Sequence, residues 1–318
     1  MRISLSMPDT MMVRSTGHGE VGYQMVRSLQ KLGVEVPYRD KTAPVEINYC
    51  HPQDWTWSGV NSYKIGYLAW ESTEPKQGWS EIINNGPVDE IWTPSPLVTQ
   101  WVKQWTKKPV ETYEHGVDAS VWTKRKRRVD DVMRFIHPDT SANRKNAPIT
   151  VEAFKQVFGD SDDYRLTLKH VGHSLVRKTG GNLKDLPGVL NINELARVYK
   201  YHHVLVTPSA GEGFFLPGLQ ALSTGMPVML TDAWVPYSKY LIKELNIDSQ
   251  LVNSPWPQEH PGKVFEPDYD SLVSSFDYVA NNFDTVSYTA HSLASQVQEE
   301  YSWENVTKRS WKHIFESF

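Results

Sequence analysis

The residues best placed to do chemistry lie in VLVTPSAGEGFFLPGLQALSTGMPVMLTDA, positions 204–233. Glu212 stands alone between Gly211 and Gly213, just ahead of a helix-like run that opens at Pro217 and stops at Gly225. An apolar run, Val204 to Val206, precedes the loop, and a second, Pro227 to Leu230, follows the helix. Strand, loop, helix and strand in this order form one unit of an open parallel sheet, where ligands sit beyond the carboxyl ends of the strands. Pro217 suits a first helical turn and Gly225 a left-handed cap. Free N–H groups of the loop and first turn, with the helix dipole behind them, suit a phosphate. Like charges repel, so Glu212 suits hydroxyl groups beside the phosphate rather than the phosphate itself. Gln220 lies one turn inside the helix with its Cβ tilted toward the N-terminus, within reach of a second set of hydroxyls. A phosphate flanked by two polyols describes a nucleotide sugar. A glutamate that caps its own helix in an ordinary α/β protein fits the same residues equally well.

The rest of the chain has to position this loop. Strand-like Arg2 to Leu5 leads into a glycine-rich turn, Gly17 to Gly22, and a helix from Tyr23 to Leu32. Val34 to Val36, Val45 to Tyr49, Lys64 to Ala69 and Glu90 to Thr93 read as strands, and Pro96 to Trp105 as a helix. A basic run, Lys124 to Arg128, interrupts the pattern, and alternation resumes with a strand at Met133 to Ile136. A helix at Pro148 to Phe158, a strand at Arg165 to Val171 and a helix at Asn193 to Tyr201 follow. Such alternation implies parallel sheets with right-handed crossovers. The expected fold is α/β, with two doubly wound, Rossmann-like domains facing a cleft, divided as 1–123 and 124–300, and a terminal helix over 301–318. His51 follows a strand and sits at a carboxyl edge. So do Trp70 and Glu71, where Glu71 suits acceptor hydroxyls or a helix cap, and His115. His18 lies inside the glycine turn. A histidine that simply fills a loop is the plainer reading of each.

Composition narrows the function classes. Of 318 residues, 39% are hydrophobic and 12% aromatic, enough for two cores. The 12 Trp and 15 Tyr belong mostly to such cores. A net charge of −4 gives no global case for a nucleic-acid partner. One cysteine, Cys50, excludes an internal disulfide and suits a reducing, cytoplasmic setting. No apolar run approaches the ~18 residues of a transmembrane helix, and MRISLSMPDTMM lacks the apolar core of a signal peptide. His202-His203 lack the spacing of a metal site, and the DSDD stretch at 160–163 follows a helix end at Gly159 and reads as a solvated turn.

PSAGEGFFLPGLQALSTGMPV resembles the signature of family 4 retaining glycosyltransferases of the GT-B fold. Pro208, Ser209, Glu212, Gly213, Phe214, Leu216, Pro217, Gly225, Pro227 and Val228 match it. Phe215 stands where the family has Gly, and Gln220 where it has a second Glu. The resemblance runs through the chain in order: STGHGEVGYQMVRSLQKLGVEV, VDEIWTPS, HGVD, RKNAPITVEAFKQVF and YSWENVTKRSW. It implies a GT-B enzyme whose terminal helix crosses back to the first domain. The donor is a nucleoside-diphosphate sugar, used as co-substrate with no cofactor and no metal. In that family the first acid contacts the transferred sugar and the second the ribose. By the same resemblance Gly17 and Gly19 approach the donor phosphates and Lys145 holds the diphosphate. Arg144 stands in for an arginine that the family often carries earlier, where His137-Pro138 occurs here. The family often uses a histidine near the reacting sugar, and His51 is the first candidate, ahead of His18 and His115. Donor contacts are expected from Gly213, Phe214, Phe215 and Gln220, and acceptor contacts from Glu71, Trp70 and His115.

The acceptor is left open as a glycan, a small molecule or a modified DNA base, the last by likeness to compact bacteriophage enzymes of this type. TKRKRR, residues 123–128, reads as a solvated, flexible linker, with a phosphate-backbone contact as the sharper alternative. A non-catalytic scaffold on a worn GT-B enzyme is the reading from another class, prompted by Phe215 and Gln220. A sugar-nucleotide epimerase on the same fold is disfavoured by the pattern at 204–233.

Overall fold

The structure is a computed structural model that describes residues 1–9, 13–171 and 181–318. It contains two compact units, Met1–Gly116 with Asn253–Val264 and Glu300–Phe318, and Val117–Val252 with Phe265–Glu299. Among the described residues no helix is long and apolar enough to cross a membrane.

The first unit is built from β1 (Ile3–Ser6), α1 (Gly17–Lys31), β2 (Val45–Tyr49), β3 (Tyr63–Tyr67), α2 (Trp79–Asn85), β4 (Glu90–Thr93), α3 (Pro96–Val102) and β5 (Val110–Thr112). The strands pair in parallel in the order β1-β2-β3-β4-β5. Beyond β1, parallel bridges join Arg2 to Glu35 and Leu5 to Tyr38. The expected strand at Val34–Val36 is therefore a pair of isolated bridges at the sheet edge. Its position reverses the strand order between β1 and β2 and creates a topological switch point there. The expected glycine turn is also different. Gly17 and Gly19 are helical, because the Thr16 hydroxyl accepts from Gly19 N at 3.0 Å and caps α1 at that point.

The second unit holds β6 (Met133–His137), α4 (Ala147–Phe158), β7 (Tyr164–His170), β8 (Leu183–Pro187), α5 (Ile192–Tyr201), β9 (Val204–Thr207), α6 (Leu216–Ser223), β10 (Val228–Thr231) and β11 (Asn246–Ile247). A small sheet of β12 (Ser249–Asn253) and β13 (Lys263–Pro267) precedes α7 (Tyr269–Asn281) and α8 (Phe283–Glu300). The main sheet is parallel in the order β11-β10-β9-β6-β7-β8, so its strand order reverses between β6 and β9. Phe135, Phe154, Phe158 and Phe276 pack under it with every pair of ring centroids 5.0–5.9 Å apart.

The chain ends in α9 (Trp303–Ser310) and α10 (Lys312–Ser317), which count with the first unit. Trp311 is buried edge-on against Trp92 at 4.8 Å, and Trp92 stacks on Tyr113 at 5.1 Å. A Cβ added at Gly116 would lie 2.8 Å from the Trp303 Cα, so this approach requires glycine.

The basic run is not a flexible linker. The units part between residues 116 and 117, and Lys124–Arg128 lies within the second unit. Its backbone is clamped by Arg125 N to Thr224 O at 3.0 Å, Ser287 Oγ to Arg127 O at 3.0 Å and His203 Nε2 to Arg128 O at 3.1 Å. Arg127 is buried and donates to His202 O at 3.0 Å, Thr224 O at 2.9 Å, Thr224 Oγ1 at 2.8 Å and Tyr199 O at 3.4 Å. These carbonyls lie at the C-terminal ends of α5 and α6, where helix dipoles favour a cation. Burial, with Arg125 nearby, lowers the Arg127 pKa to about 9.

Candidate functional site

The switch point of the second unit gathers the loops after β6 and β9. The first forms a single turn at Asn143–Lys145 and enters α4 through Asn146 at φ 54°. The second enters α6 through Phe215 at φ 63°. The loops are stitched together by Ala210 N to Arg144 O at 2.7 Å, Arg144 Nη1 to Gly211 O at 2.7 Å and Asn146 Nδ2 to Pro208 O at 2.9 Å. Asn146 and Phe215 are two of only three non-glycine residues at positive φ among those described. Left-handed backbone costs roughly 1–2 kcal/mol per ordinary residue, and such strain tends to collect at functional sites.

Three donors converge on one oxygen of Glu212. Lys145 Nζ lies 2.6 Å, Arg144 Nη1 2.8 Å and Ser209 Oγ 2.7 Å from Oε1. Glu212 is 5% and Lys145 6% exposed. Burial works to raise the Glu212 pKa, but Arg144, Lys145 and the Lys145 and Ser209 hydrogen bonds outweigh it and hold the carboxyl below its ordinary value. Lys145 also approaches Asp139 Oδ2 at 3.9 Å. Burial opposes the Asp139 charge too, yet Lys145 and Ser141 keep its pKa low. The sequence reading had the cations facing a phosphate and Glu212 facing hydroxyls. The geometry instead pairs the two cations with the acid.

Phe215 is buried, 5.5 Å from Trp234, with Lys145 Nζ 5.3 Å from its ring centroid. Its carbonyl accepts from the Tyr237 hydroxyl at 2.7 Å. The φ of 63° accounts for the glycine of the family signature at this position. Phe215→Ala is expected to cost about 3–5 kcal/mol through lost packing. Phe215→Gly is expected to melt higher than Phe215→Ala, by about 1 kcal/mol of relieved strain, reversing the usual order of these two residues. Thermal melts of both variants check this. Gly213 belongs to the same loop, and Phe214 and Gln220 are buried beside it. Ser209, Asp139 and Asn146 were missed as site residues; only Ser209 carried a signal, as part of the Pro208-Ser209 pair.

Gly17 and Gly19 fall in the first unit, at the start of α1. Gly19 N is spent on the Thr16 cap, and a Cβ at Gly17 would meet nothing within 4 Å. Gly22 is the glycine in close contact, since a Cβ there would lie 2.8 Å from the flexible end of Met7 at Sδ.

At the switch point of the first unit His18 and His51 share a neighbourhood with Glu71. Burial lowers the His18 pKa, Glu71 opposes it and His51 adds to it. His51 is likewise lowered, by burial first and by Lys76, against Glu71 and Asp54. Aromatic walls enclose these groups, with His18 5.1 Å from Tyr49 and His51 5.1 Å from Trp79. His260, which the sequence did not single out, arrives from segment 253–264 with Nδ1 3.8 Å from Glu71 Oε2.

Two expected acceptor contacts are core residues. Trp70 is 1% exposed, packs on Trp79 at 4.5 Å and donates its indole N–H to Glu74 O at 2.8 Å. His115 is buried between Tyr67 and Trp303, and burial pushes its pKa down to about 3. Neither presents a face to an acceptor.

No family model matches the chain. A sequence relative is an uncharacterized glycosyltransferase of Methanocaldococcus jannaschii, 27% identical over 123 residues. That match covers 39% of this chain and only 28% of the relative's length. Among solved structures, a sucrose-phosphate synthase from Thermosynechococcus elongatus is similar with a TM-score of 0.71 at 13% identity, over 100% of both chains. A variant of S. aureus TarM in complex with UDP, fondaparinux and α-GlcNAc-glycerol is similar with a TM-score of 0.65 at 15% identity, over 92% of this chain and 58% of the TarM chain. Two Rossmann-like units of parallel sheet, with this full-length structural likeness, give the chain the GT-B fold.

Proposed function

We propose that the chain is a retaining, metal-independent glycosyltransferase that moves a hexose or pentose from a nucleoside-diphosphate sugar to an acceptor hydroxyl. The observation that carries this reading is the buried Glu212 carboxylate with Lys145 and Arg144 at the switch point where β9 leads into α6. The named activity of the archaeal relative supports it, as does the UDP held by the TarM structure.

The donor diphosphate lies against the amides near Gly213 and draws Lys145 and Arg144 from Glu212 toward its oxygens. Glu212 Oε2 accepts from a sugar hydroxyl, and Gln220 from or to the ribose. The anomeric C–O bond to the diphosphate breaks with its electron pair leaving on phosphate. The acceptor oxygen bonds to the anomeric carbon on the same face, and its proton passes to a leaving phosphate oxygen. Two cations at the departing group stabilise charge where it develops, so no metal and no protein nucleophile are assigned. The first unit binds the acceptor through Glu71 and the imidazoles of His18 and His51, which burial keeps neutral and able to accept a hydrogen bond at neutral pH. The single, buried Cys50 fits work in the cytoplasm.

Thermal melts with UDP, GDP, ADP and their common sugar derivatives test the reading. A bound nucleotide at ~100 times its dissociation constant should stabilise by about 2.7 kcal/mol. One nucleotide class should raise the melting temperature, and its sugar derivative should be consumed. A panel in which no nucleotide shifts the melt ends the proposal and favours a scaffold.

A further inference from the structure

We propose that the basic run of the second unit is a docking ridge for single-stranded nucleic acid, with Lys126 and Arg128 on backbone phosphates and Tyr288 under a base. Five consecutive cations, Lys124 to Arg128, stand out in a chain of net charge −4. Their backbone is held by Thr224 at the end of α6, Ser287 of α8 and His203, so the charges are presented from a fixed rail. Arg127 turns inward and anchors the rail, while Arg125, Lys126 and Arg128 are exposed. Cations on a fixed backbone lose less backbone freedom on meeting a phosphate than cations on a loose linker.

Beside the rail lies a cavity of about 200 Å³, lined by Lys126, Arg127, Arg128, Asp284, Ser287, Tyr288 and His291. Tyr288 is 74% exposed on α8 and offers a large aromatic face. A cationic groove beside an open aromatic ring is the combination that binds single strands, with bases stacked and phosphates tracked by charge. Burial, then Lys124, Lys126 and Arg127, lower the His291 pKa, which favours its uncharged form. Asp284 is the one acid lining the cavity, and Asp130 nearby is engaged by Arg134 at 2.9 Å. A duplex would gain the phosphate contacts but could not offer an unstacked base to Tyr288.

The test is fluorescence anisotropy of the full chain with a labelled DNA single strand of about 20 nucleotides, a length covering the usual 4–16-nucleotide sites. Saturable binding should weaken from about 50 to 200 mM salt with a log–log slope of about −1.4, near −0.7 for each of the two phosphates contacted. Lys126→Glu with Arg128→Glu should weaken it at least about tenfold, and Tyr288→Ala about tenfold, since stacking contributes that order per base. Lys312→Glu, on the exposed α10, should change nothing, and unchanged melting temperatures should show that all variants fold. The inference fails if no saturable binding occurs at low salt, if binding survives the double charge reversal, or if duplex binds as well and ignores Tyr288→Ala. It also fails if anionic lipid vesicles are bound in place of the strand. No sugar donor is present, so nucleotide-induced stabilisation, measured separately, stands or falls independently.

Discussion

Lys145→Met should remove most sugar transfer and destabilise the second unit together. Lys145 and Glu212 are both nearly inaccessible and 2.6 Å apart. Removing one member of a buried ion pair typically costs about 3–5 kcal/mol, because the remaining charge stays desolvated. Arg144 still faces Glu212 at 2.8 Å, so the lower end, about 3 kcal/mol, is expected. Losing a preorganised donor at the leaving group should lower turnover about 10²–10³-fold. Adding Glu212→Gln to Lys145→Met removes the orphaned charge and should recover much of the stability while recovering none of the turnover. Melting temperatures and single-turnover donor consumption for both singles and the double complete the cycle. A double variant as unstable as Lys145→Met would mean that the ion pair does not organise this site.

Mild acid should destabilise the second unit well before its carboxylates titrate. His137 is fully buried and His202 is 8% exposed, and burial lowers both pKa values to about 4. An unfolded histidine titrates near 6.5, so below that pH the unfolded chain binds protons that the folded chain refuses. The stability contributed by these two groups is complete above about pH 6.5 and falls as pH drops toward 4, by about 1.4 kcal/mol per pH unit for each. At pH 5 the loss is about 4 kcal/mol against a typical total of about 5–15. For a unit of this size that is roughly a 10 °C fall in melting temperature from pH 7.5 to 5.0. His115 should act the same way in the first unit, with its pKa near 3. Glu212 adds a later loss, since its lowered pKa supports stability above the ordinary carboxylate value and gives it up only as pH falls through the folded one. Calorimetry across this range checks the slope. Gln replacements at His137 and His202 should flatten it, and a melt independent of pH between 6.5 and 5 would contradict the assignment.

Much of the architecture is legible in the sequence because proline and glycine mark the joints. Pro217 and Gly225 bracket α6, and the apolar runs on either side became β9 and β10. The site itself was legible as a set of residue types but not as a set of contacts. Arg144 and Lys145 lie 67 positions from Gly211 and Glu212. No periodicity reports that two loops after non-adjacent strands will be stitched together. Histidines were the least legible. His51 and His115 both follow a strand, yet one stays near an open edge and the other is sealed between Tyr67 and Trp303. The difference is set by the last residues of the chain, which carry Trp303 and no local clue to where it will pack. The basic run misled for a related reason. Charge density suggests a solvated linker, but one inward side chain, Arg127, finds four acceptors on distant helices.

The three-piece assembly of the first unit bears on how a ribosome delivers this protein. Segment 265–299 completes the second unit, so that unit has all its parts before residue 300 leaves the exit tunnel. The strands of the first unit precede the second unit, yet the slot beside Trp92 stays unfilled until Trp311 emerges. A premature stop between residues 300 and 311 would therefore injure the unit whose strands had already been made.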